Sequence, residues 1–192
     1  MIKRIIIVCL VVMSLGQLGQ GGYLMIKAAL AQWLLERSWQ ALQAGDVTSK
    51  PWPWADTTPL VKLDFFELNR RLIVLKGASG RNLAFAPTHL SSSAMPGQVG
   101  VSVIGGHRDT HFKFLEELIL NDRFRVESPD GHVETFRVSK IDIVNSAVTS
   151  IALETEQPVI LLVTCYPFDA LQAGGPLRYV VTAEQDSVPA YL

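Results

Sequence analysis

The stretch Leu161-Leu162-Val163-Thr164-Cys165-Tyr166-Pro167-Phe168 predicts a buried β-strand that ends on a cysteine. A short continuous apolar run is typical of a strand that is covered on both faces. Pro167 lacks the N–H that a strand donates to its neighbour, so we expect the strand to stop beside Cys165. Free cysteines are often buried and inert. The stretch alone therefore leaves two interpretations of Cys165 open, a catalytic nucleophile and a buried structural thiol.

Further short strands are predicted along the chain from residue 61 onward. Branched and aromatic residues are interrupted there by turn signals, and Pro129-Asp130-Gly131 marks a hairpin turn. A helical turn or two is expected over residues 112–120 and a loop over residues 89–96. Seven or eight short strands with little helix predict a mainly β fold, a closed or nearly closed barrel with short helices. The predicted strands cover residues 72–75, 83–85, 100–106, 123–128, 133–143, 159–164 and 178–183.

The N-terminal sequence predicts a membrane anchor. Lys3 and Arg4 precede an apolar run over residues 5–18, as in a segment whose N-terminus stays in the cytoplasm. The run reaches the roughly twenty residues of a bilayer span only if its helix continues through the following glycines. No Ala-x-Ala pattern follows Leu18, which favours an uncleaved anchor over a cleaved signal. We therefore expect a cytoplasmic tail at residues 1–4 and a transmembrane signal anchor at residues 5–26.

Residues 27–60 are expected to connect this anchor to a β-barrel domain at residues 61–192. An amphipathic helix is predicted over residues 26–44, either packed on the domain or lying on the bilayer surface, with Gly45 as its stop. The prolines of Pro51-Trp52-Pro53-Trp54 exclude regular helix, so this segment is predicted to be a linker that docks both indoles on the domain. The apolar positions of the helix are Leu30, Trp33, Leu34 and Leu42.

The composition excludes several classes of function. A formal net charge of −1 over 192 residues gives no basic surface for nucleic acid. The two cysteines cannot form a disulfide framework, and no paired Cys/His spacing predicts a metal site, so we expect no cofactor. Cys9 lies in the predicted anchor, which leaves Cys165 alone in an exported domain. Because oxidising compartments consume free thiols, a solitary thiol there indicates chemistry.

A nucleophilic thiol needs a base or an imidazolium nearby, because little thiolate exists at neutral pH when the pKa of the thiol is about 8.5. His107 is the best base among the four histidines, since it follows an apolar strand and the glycine pair Gly105-Gly106. His111 is the fallback, and Asp109 is placed to orient either imidazole. The other two histidines are predicted to lie at the surface, His89 in a polar loop and His132 in the hairpin turn.

An attacked carbonyl develops negative charge, which an arginine can stabilise. Arg178 opens a predicted strand a short loop after Cys165, so antiparallel pairing would return it beside the thiol. An ordinary edge-strand arginine is the other interpretation. Arg108 is a second candidate, although the adjacent Asp109 favours a local ion pair or a solvated loop at that position.

Three segments and one arginine carry a resemblance to a known family. The segments are Pro51-Trp52-Pro53-Trp54-Ala55-Asp56, Gly106-His107-Arg108-Asp109-Thr110-His111-Phe112 and Thr164-Cys165-Tyr166-Pro167-Phe168, and the arginine is Arg178. In this order they resemble the sortase cysteine transpeptidases, and in particular the sortase class of Gram-negative bacteria. The resemblance covers about residues 51–183 and agrees with an N-terminal anchor.

The resemblance implies an eight-stranded barrel and a peptidase and acyltransferase of the hydrolase class. Cys165 would attack a Thr-Gly type bond in the C-terminal sorting signal of a secreted protein and form a thioester. His107 would donate a proton to the leaving amine and then deprotonate an incoming amine acceptor, while Arg178 would hold the oxyanion. The domain would lie on the periplasmic side of the bacterial inner membrane, on a single-pass anchor. The substrate contacts would come from Thr164, Arg108, Asp109 and Tyr166.

Two other functions stay open, and several are excluded. A non-catalytic, membrane-anchored barrel that binds a partner would need Cys165 only as a buried residue. A Cys/His copper protein is disfavoured because no methionine or second thiol lies near the candidates. Papain-like proteases place the cysteine before the histidine, L,D-transpeptidases carry Ser-His-Gly-Cys, and disulfide oxidoreductases carry Cys-x-x-Cys. The chain has none of these patterns.

Overall fold

The computed structural model of the protein describes residues 2–170, 172 and 174–186, so the last residues of the predicted 61–192 domain lie outside the described chain. A long helix, α1 (Ile2–Gln43), precedes a mainly β region that contains one further short helix, α2 (Gly80–Leu83). Two 3-10 turns lie at Phe66–Leu68 and Lys113–Glu117. The strands are β1 (Pro59–Phe65), β2 (Arg70–Lys76), β3 (Thr88–His89), β4 (Gly100–Gly105), β5 (Arg123–Glu127), β6 (Val133–Asn145), β7 (Pro158–Cys165) and β8 (Leu177–Gln185).

These strands form a closed barrel in the order β1-β2-β3-β4-β7-β8-β6-β5. The β2–β3 and β4–β7 pairs are parallel, and the other pairs are antiparallel. The two-residue strand β3 closes the barrel by pairing with only the ends of β2 and β4. The prediction of a mainly β, eight-stranded barrel with short helices is therefore confirmed.

The barrel interior is filled by the side chains that alternate inward along each strand. Strand β1 shows the pattern most clearly, because every second residue of Pro59–Phe65 is buried. Phe65 stacks on Phe124 at a ring-centroid distance of 4.6 Å and meets Phe114 edge to face at 4.8 Å. Leu162 and Val181 bring the central strands into the same core. The interior is thus a packed core rather than a channel.

Strands β4, β7 and β8 are covered on their outer face as well. Val101, Val103, Leu161 and Val180 form a second buried cluster there, while their neighbours Ile104, Leu162 and Val181 belong to the interior core. Burial on both faces explains why the sequence around Cys165 is continuously apolar instead of alternating.

Helix α1 packs on the barrel through its C-terminal half. Leu35 and Trp39 are fully buried against Ile73, Leu75 and Ala86. Of the predicted apolar positions of this helix, Leu30 and Trp33 do not pack on the barrel, since they are 53% and 57% exposed. The helix is also continuous from Ile2 to Gln43, so the predicted anchor and the amphipathic helix form one element. Tertiary packing, rather than the average polarity of each turn, selects the face that is buried.

Within the part of the chain that the structure describes, no helix is long and apolar enough to span a membrane.

Three local predictions need correction. Residues 83–85 do not form a strand, because Ser79 caps the short helix α2 by accepting a hydrogen bond from the backbone N–H of Asn82. His89 is not at the surface, since it lies in β3 and is only 2% exposed. Trp52 packs edge to face on Phe85 at 4.8 Å, whereas Trp54 is 81% exposed, so one indole docks and the other does not.

Candidate active site

Three neighbouring strands bring together the predicted nucleophile, base and arginine. Cys165 is the last residue of β7, and its register partner in the antiparallel β7–β8 pair is Arg178. On the other side of β7, Gly105 at the end of β4 is the parallel partner of Val163. Cys165 lies two residues after Val163 at the end of β7, and His107 lies two residues after Gly105, just beyond the end of β4. The β4-β7-β8 order therefore places His107, Cys165 and Arg178 at the same end of the barrel, with Cys165 and Arg178 directly opposite each other.

Cys165 is half-buried on the outer face of the sheet. Alternation along β7 sends Leu162 and Thr164 toward the barrel interior and Leu161 and Val163 toward the outer cluster. Cys165 continues the outer series, and Arg178 directly opposite shares its face. The thiol is therefore accessible from outside the barrel, beside an apolar surface.

The Arg178 guanidinium is partly engaged by its own loop. Its Nη1 atom donates to the carbonyl oxygen of Gly175 at 2.6 Å and to that of Leu177 at 2.8 Å. Its Nε and Nη2 donors make no hydrogen bond to any residue that the structure describes. A guanidinium has five N–H donors, so three remain to meet a substrate oxygen.

His107 is exposed in a tight loop, residues 106–112, which we call the histidine loop. The N–H of Phe112 donates to the carbonyl of His107 at 2.9 Å, which closes the loop. Phe112 is fully buried, and a Cβ on Gly106 would lie 2.7 Å from its ring. Only glycine fits at position 106, so the glycine pair lets the chain fold back over Phe112 and present His107.

Thr164 ties the histidine loop to the cysteine strand. Its Oγ1 donates to the carbonyl oxygen of Gly106 at 2.7 Å, and the N–H of Gly106 donates to the carbonyl of Val163 at 3.1 Å. Because Thr164 is 2% exposed, its contact with the histidine loop is buried. Direct contact between Thr164 and a substrate stays a prediction.

His111, the fallback base, lies near His107 but is more deeply buried. Burial lowers the pKa of His111, and the charge of His107 lowers that pKa further. The charge of Asp109 and a hydrogen bond with the backbone of Ala84 act in the opposite direction. His111 is therefore held mainly in its neutral form, bonded toward the chain that follows α2. Among the described residues, no group of three or more His, Cys, Asp or Glu could hold a metal ion.

Arg108 binds neither Cys165 nor Asp109 in the structure. Its Nη2 atom donates to the carbonyl oxygens of Ala170 and Gln172, both at 2.8 Å. These acceptors lie in residues 166–176, the β7–β8 loop that follows Cys165. No ion pair within 4.0 Å joins Arg108 to Asp109 in the described chain, and Asp109 is exposed. Sequence reasoning missed this contact because its acceptors are backbone carbonyls, which leave no residue signature.

Three aromatic residues surround the start of the β7–β8 loop, and one of them, Tyr179, was not singled out by the sequence. Tyr166 stacks on Tyr179 at 6.3 Å, and Phe168 meets Tyr179 edge to face at 5.1 Å. Burial raises the pKa of Tyr179, with smaller contributions from Glu116 and Tyr166. These rings line an open cavity of about 490 Å³ together with Lys113, Glu116, Pro167 and Asp169. The sequence did contain a signal for Tyr179: it lies two residues before Val181 on the same strand, and alternate residues of a strand share one face.

Comparison with known proteins identifies the family. The sequence profile of a family described as Sortase domain matches residues 64–186, more than half of the chain. Sortase D from Bacillus subtilis (strain 168) is 32% identical over 120 residues. That match covers 62% of this chain and 60% of the relative, so the chain spans less than two thirds of the length of that protein.

Solved sortase structures share the fold. A Clostridium perfringens Sortase D5 transpeptidase has a TM-score of 0.65 at 17% identity, covering 82% of this chain and 99% of that chain. Sortase A from Corynebacterium diphtheriae has a TM-score of 0.63 at 22% identity, covering 85% and 87% of the two chains. At such identities the likeness concerns the fold alone. The narrower resemblance to the Gram-negative class stays a prediction. The matched profile and the closed eight-stranded barrel agree, and the chain belongs to the sortase family.

Proposed function

We propose that the protein is a membrane-anchored cysteine transpeptidase. It cleaves a Thr-Gly type bond in the C-terminal sorting signal of a secreted protein and transfers that protein to an amine acceptor. The observation that carries the proposal is the direct pairing of Cys165 on β7 with Arg178 on β8, with His107 two residues beyond the end of the adjacent strand β4. Membership of the sortase family supports the same reaction.

The first half-reaction forms a thioester. The Cys165 thiolate attacks the threonine carbonyl carbon, and the C–N bond to glycine breaks. His107, as the imidazolium, gives its proton to the leaving amine, so the glycine peptide departs neutral. The enzyme is left with an acyl group on the sulfur of Cys165 and a neutral imidazole.

Arg178 supplies charge stabilisation during this attack. The oxygen of the threonine carbonyl becomes negative in the tetrahedral intermediate. The Nε and Nη2 donors of Arg178, which bond to no residue that the structure describes, belong to a side chain on the same sheet face as the thiol. A donor that is already positioned requires little reorganisation at the moment of reaction. The two bonds from Nη1 to the carbonyls of Gly175 and Leu177 hold the guanidinium in place to stabilise the oxyanion.

The second half-reaction releases the product. Neutral His107 takes a proton from the acceptor amine, the amine attacks the thioester carbon, and the C–S bond breaks to regenerate the thiolate. A new amide bond replaces the one that was cleaved, so no cofactor or oxidant is required. Water in place of the amine would give hydrolysis. Asp109, exposed in the histidine loop, and Tyr166, next to Cys165, are proposed as substrate contacts.

The proposed location is the bacterial inner membrane, with the barrel on the periplasmic side. Lys3 and Arg4 before the apolar run support a cytoplasmic N-terminus. Ile6, Leu10 and Met13 are more than half exposed on α1, so these side chains are free to meet lipid. Fractionation tests this point, because an anchored protein is released by detergent and not by high salt. Release of the native chain by salt alone would contradict anchoring.

The reaction is tested by mass spectrometry on the full chain in detergent with a cognate sorting-signal peptide. The expected result is an acyl adduct on Cys165 and its loss when an amine is added. Cys165→Ala should abolish the adduct and the cleavage while the barrel stays folded. His132→Ala, at an exposed histidine in the β5–β6 turn, is the matched control for general damage. Absence of both adduct and cleavage in the wild type, with the cognate peptide present, would instead favour a binding module.

A further inference from the structure

We propose that Arg108 is a positioning residue that fastens the β7–β8 loop to the histidine loop and so sets the shape of the substrate site. The inference rests on the proposed function and assigns a task to a residue that does not touch the reacting atoms. It replaces the sequence-based expectation that Arg108 contacts the substrate directly.

The contact itself is specific. A single nitrogen, Nη2 of Arg108, donates to two carbonyl oxygens of the β7–β8 loop, those of Ala170 and Gln172, at 2.8 Å each. Hydrogen bonds from a charged donor are among the stronger ones in proteins. Acceptors two residues apart fix both the position and the orientation of that part of the loop. The bond to Ala170 is partly buried, whereas the bond to Gln172 lies at the exposed surface.

Arg108 reaches the loop from a rigid base. It follows His107, whose carbonyl accepts from Phe112, and Gly106, whose carbonyl accepts from Thr164. The histidine loop is thus fixed to the barrel on both sides of Arg108. The guanidinium therefore restrains Ala170 and Gln172, which are far away along the chain, relative to this fixed loop.

The other half of the loop is held by Arg178. Its Nη1 atom donates to the carbonyl of Gly175 in the loop and to that of Leu177 at the start of β8. Arg108 therefore bonds to the first half of the loop, and Arg178 bonds to its end. Arg178 is also the residue proposed to hold the oxyanion. Loss of Arg108 leaves Arg178 as the remaining arginine that ties the loop.

The loop is next to the chemistry and shapes a cavity. It begins at Tyr166, directly after Cys165, and carries Phe168 and Asp169 on the cavity wall. A loosened loop would present these side chains in many arrangements, so substrate binding would require ordering it first. We therefore expect Arg108→Ala to raise KM for the sorting-signal peptide by about tenfold, the loss expected for one charge-assisted contact. The value of kcat should change by less than about threefold, because the reacting groups stay in place.

The test combines two measurements on the full chain in detergent. Hydrogen exchange of peptides within residues 166–176 should be faster in Arg108→Ala than in the wild type, and steady-state kinetics should show the KM effect. Arg108→Lys keeps a positive charge but has a shorter side chain that reaches the two carbonyls less well, so it should lie between the two. Arg71→Ala is the matched control, since Arg71 is 74% exposed and pairs only with Asp64 on β1, far from β7 in the barrel order.

Each outcome decides the proposal. Unchanged exchange in Arg108→Ala would overturn the tether. Faster exchange with an unchanged KM would overturn its role in substrate binding. Equal effects in Arg71→Ala would show a general loss of stability instead of a specific contact. If the wild type turns over no peptide, the proposed function fails, while the exchange of Arg108→Ala and Arg108→Lys still decides whether Arg108 holds the loop.

Discussion

Cys165 and Arg178 are directly opposite each other in the antiparallel β7–β8 pair. Side chains at opposite positions of such a pair share one face of the sheet, with Cβ atoms about 5 Å apart. The thiol and the guanidinium therefore owe their proximity to strand register, which the packed core on either side of β7 and β8 enforces. A slip of one residue would move Arg178 to the barrel interior, so the fold specifies this pair strongly.

Replacing Arg178 should slow thioester formation more than it destabilises the fold. Arg178→Ala removes the proposed oxyanion donors, and loss of one such donor typically costs about 10²- to 10³-fold in rate. Arg178→Lys should recover part of the rate because it keeps a positive charge. The measurement is the single-turnover rate of acyl-enzyme formation by mass spectrometry. Arg123→Ala, which removes the ion pair between Arg123 on β5 and Asp186 after β8, is the control. A loss below about tenfold in Arg178→Ala would contradict the assignment.

Adjacent glycines should differ sharply in their tolerance of a side chain. Gly106→Ala would place a methyl group 2.7 Å from the buried Phe112 ring, whereas a Cβ on Gly105 has no neighbour within 4 Å. Overpacking of this kind costs about 1–3 kcal/mol. Chemical denaturation should therefore show a lower free energy of unfolding for Gly106→Ala than for Gly105→Ala. The comparison cancels the effect of glycine on the unfolded chain. Equal stability of the two variants would mean that the histidine loop does not pack on Phe112.

Removing the Thr164 hydroxyl should loosen the histidine loop. Thr164→Val keeps the shape of the side chain but leaves the Gly106 carbonyl without this donor, which costs about 1–3 kcal/mol for a buried group. Thr164→Ser retains the hydroxyl and should retain most of the stability. Thermal unfolding measures the difference, and kcat should fall in the valine variant because His107 follows the freed carbonyl. A serine variant as damaged as the valine variant would point to the methyl contact instead of the hydrogen bond.

The positions of strands and of candidate site residues could be predicted from the sequence where they depend on residues that are close together along the chain. The apolar run before Pro167 predicted β7, and the hairpin at Pro129-Asp130-Gly131 predicted the β5–β6 pair. Strand β3 was not predictable, because its two residues become a strand only by pairing with Leu75 and Ile104 from elsewhere in the barrel.

Contacts made between distant parts of the chain account for the other misses. His89 lies in a polar sequence, yet its Nε2 is bonded to the carbonyl of Ala94 and the hydroxyl of Ser93 in a buried setting. The Arg108 contact is made to backbone carbonyls, and the buried face of α1 is chosen by the barrel surface that it meets. In each case the deciding partner is supplied by the tertiary fold.

The stability of the protein should fall in mild acid because of His111. Burial is the main cause that lowers the pKa of His111 below its usual value, so the folded chain binds fewer protons at this site than the unfolded chain. The stabilising contribution is present above an unfolded pKa of about 6.5 and is lost as the pH falls toward the folded value. Melting temperatures at about pH 7.5 and pH 5 should therefore differ more in the wild type than in His111→Gln. Equal differences would exclude His111 as the source.

The two tryptophans of α1 should separate the part of the helix that belongs to the folded domain from its exposed face. Trp39 is 1% exposed and packs on the barrel, whereas Trp33 is 57% exposed on the same helix. Trp39→Ala should cost about 3–5 kcal/mol of unfolding free energy, as expected for a large buried ring. Trp33→Ala should cost less than about 1 kcal/mol, mainly its cation–π contact with Arg37. Urea denaturation measures the free energy of unfolding of both variants. Because both replace a tryptophan on the same helix, the comparison depends only on burial.

Equal small losses of unfolding free energy in the two variants would mean that α1 does not pack on the barrel in solution. A large loss confined to Trp39→Ala would place residues 31–39 within the barrel domain. A barrel cut from the chain after Gln43 would then expose Ile73 and Leu75 and be less stable.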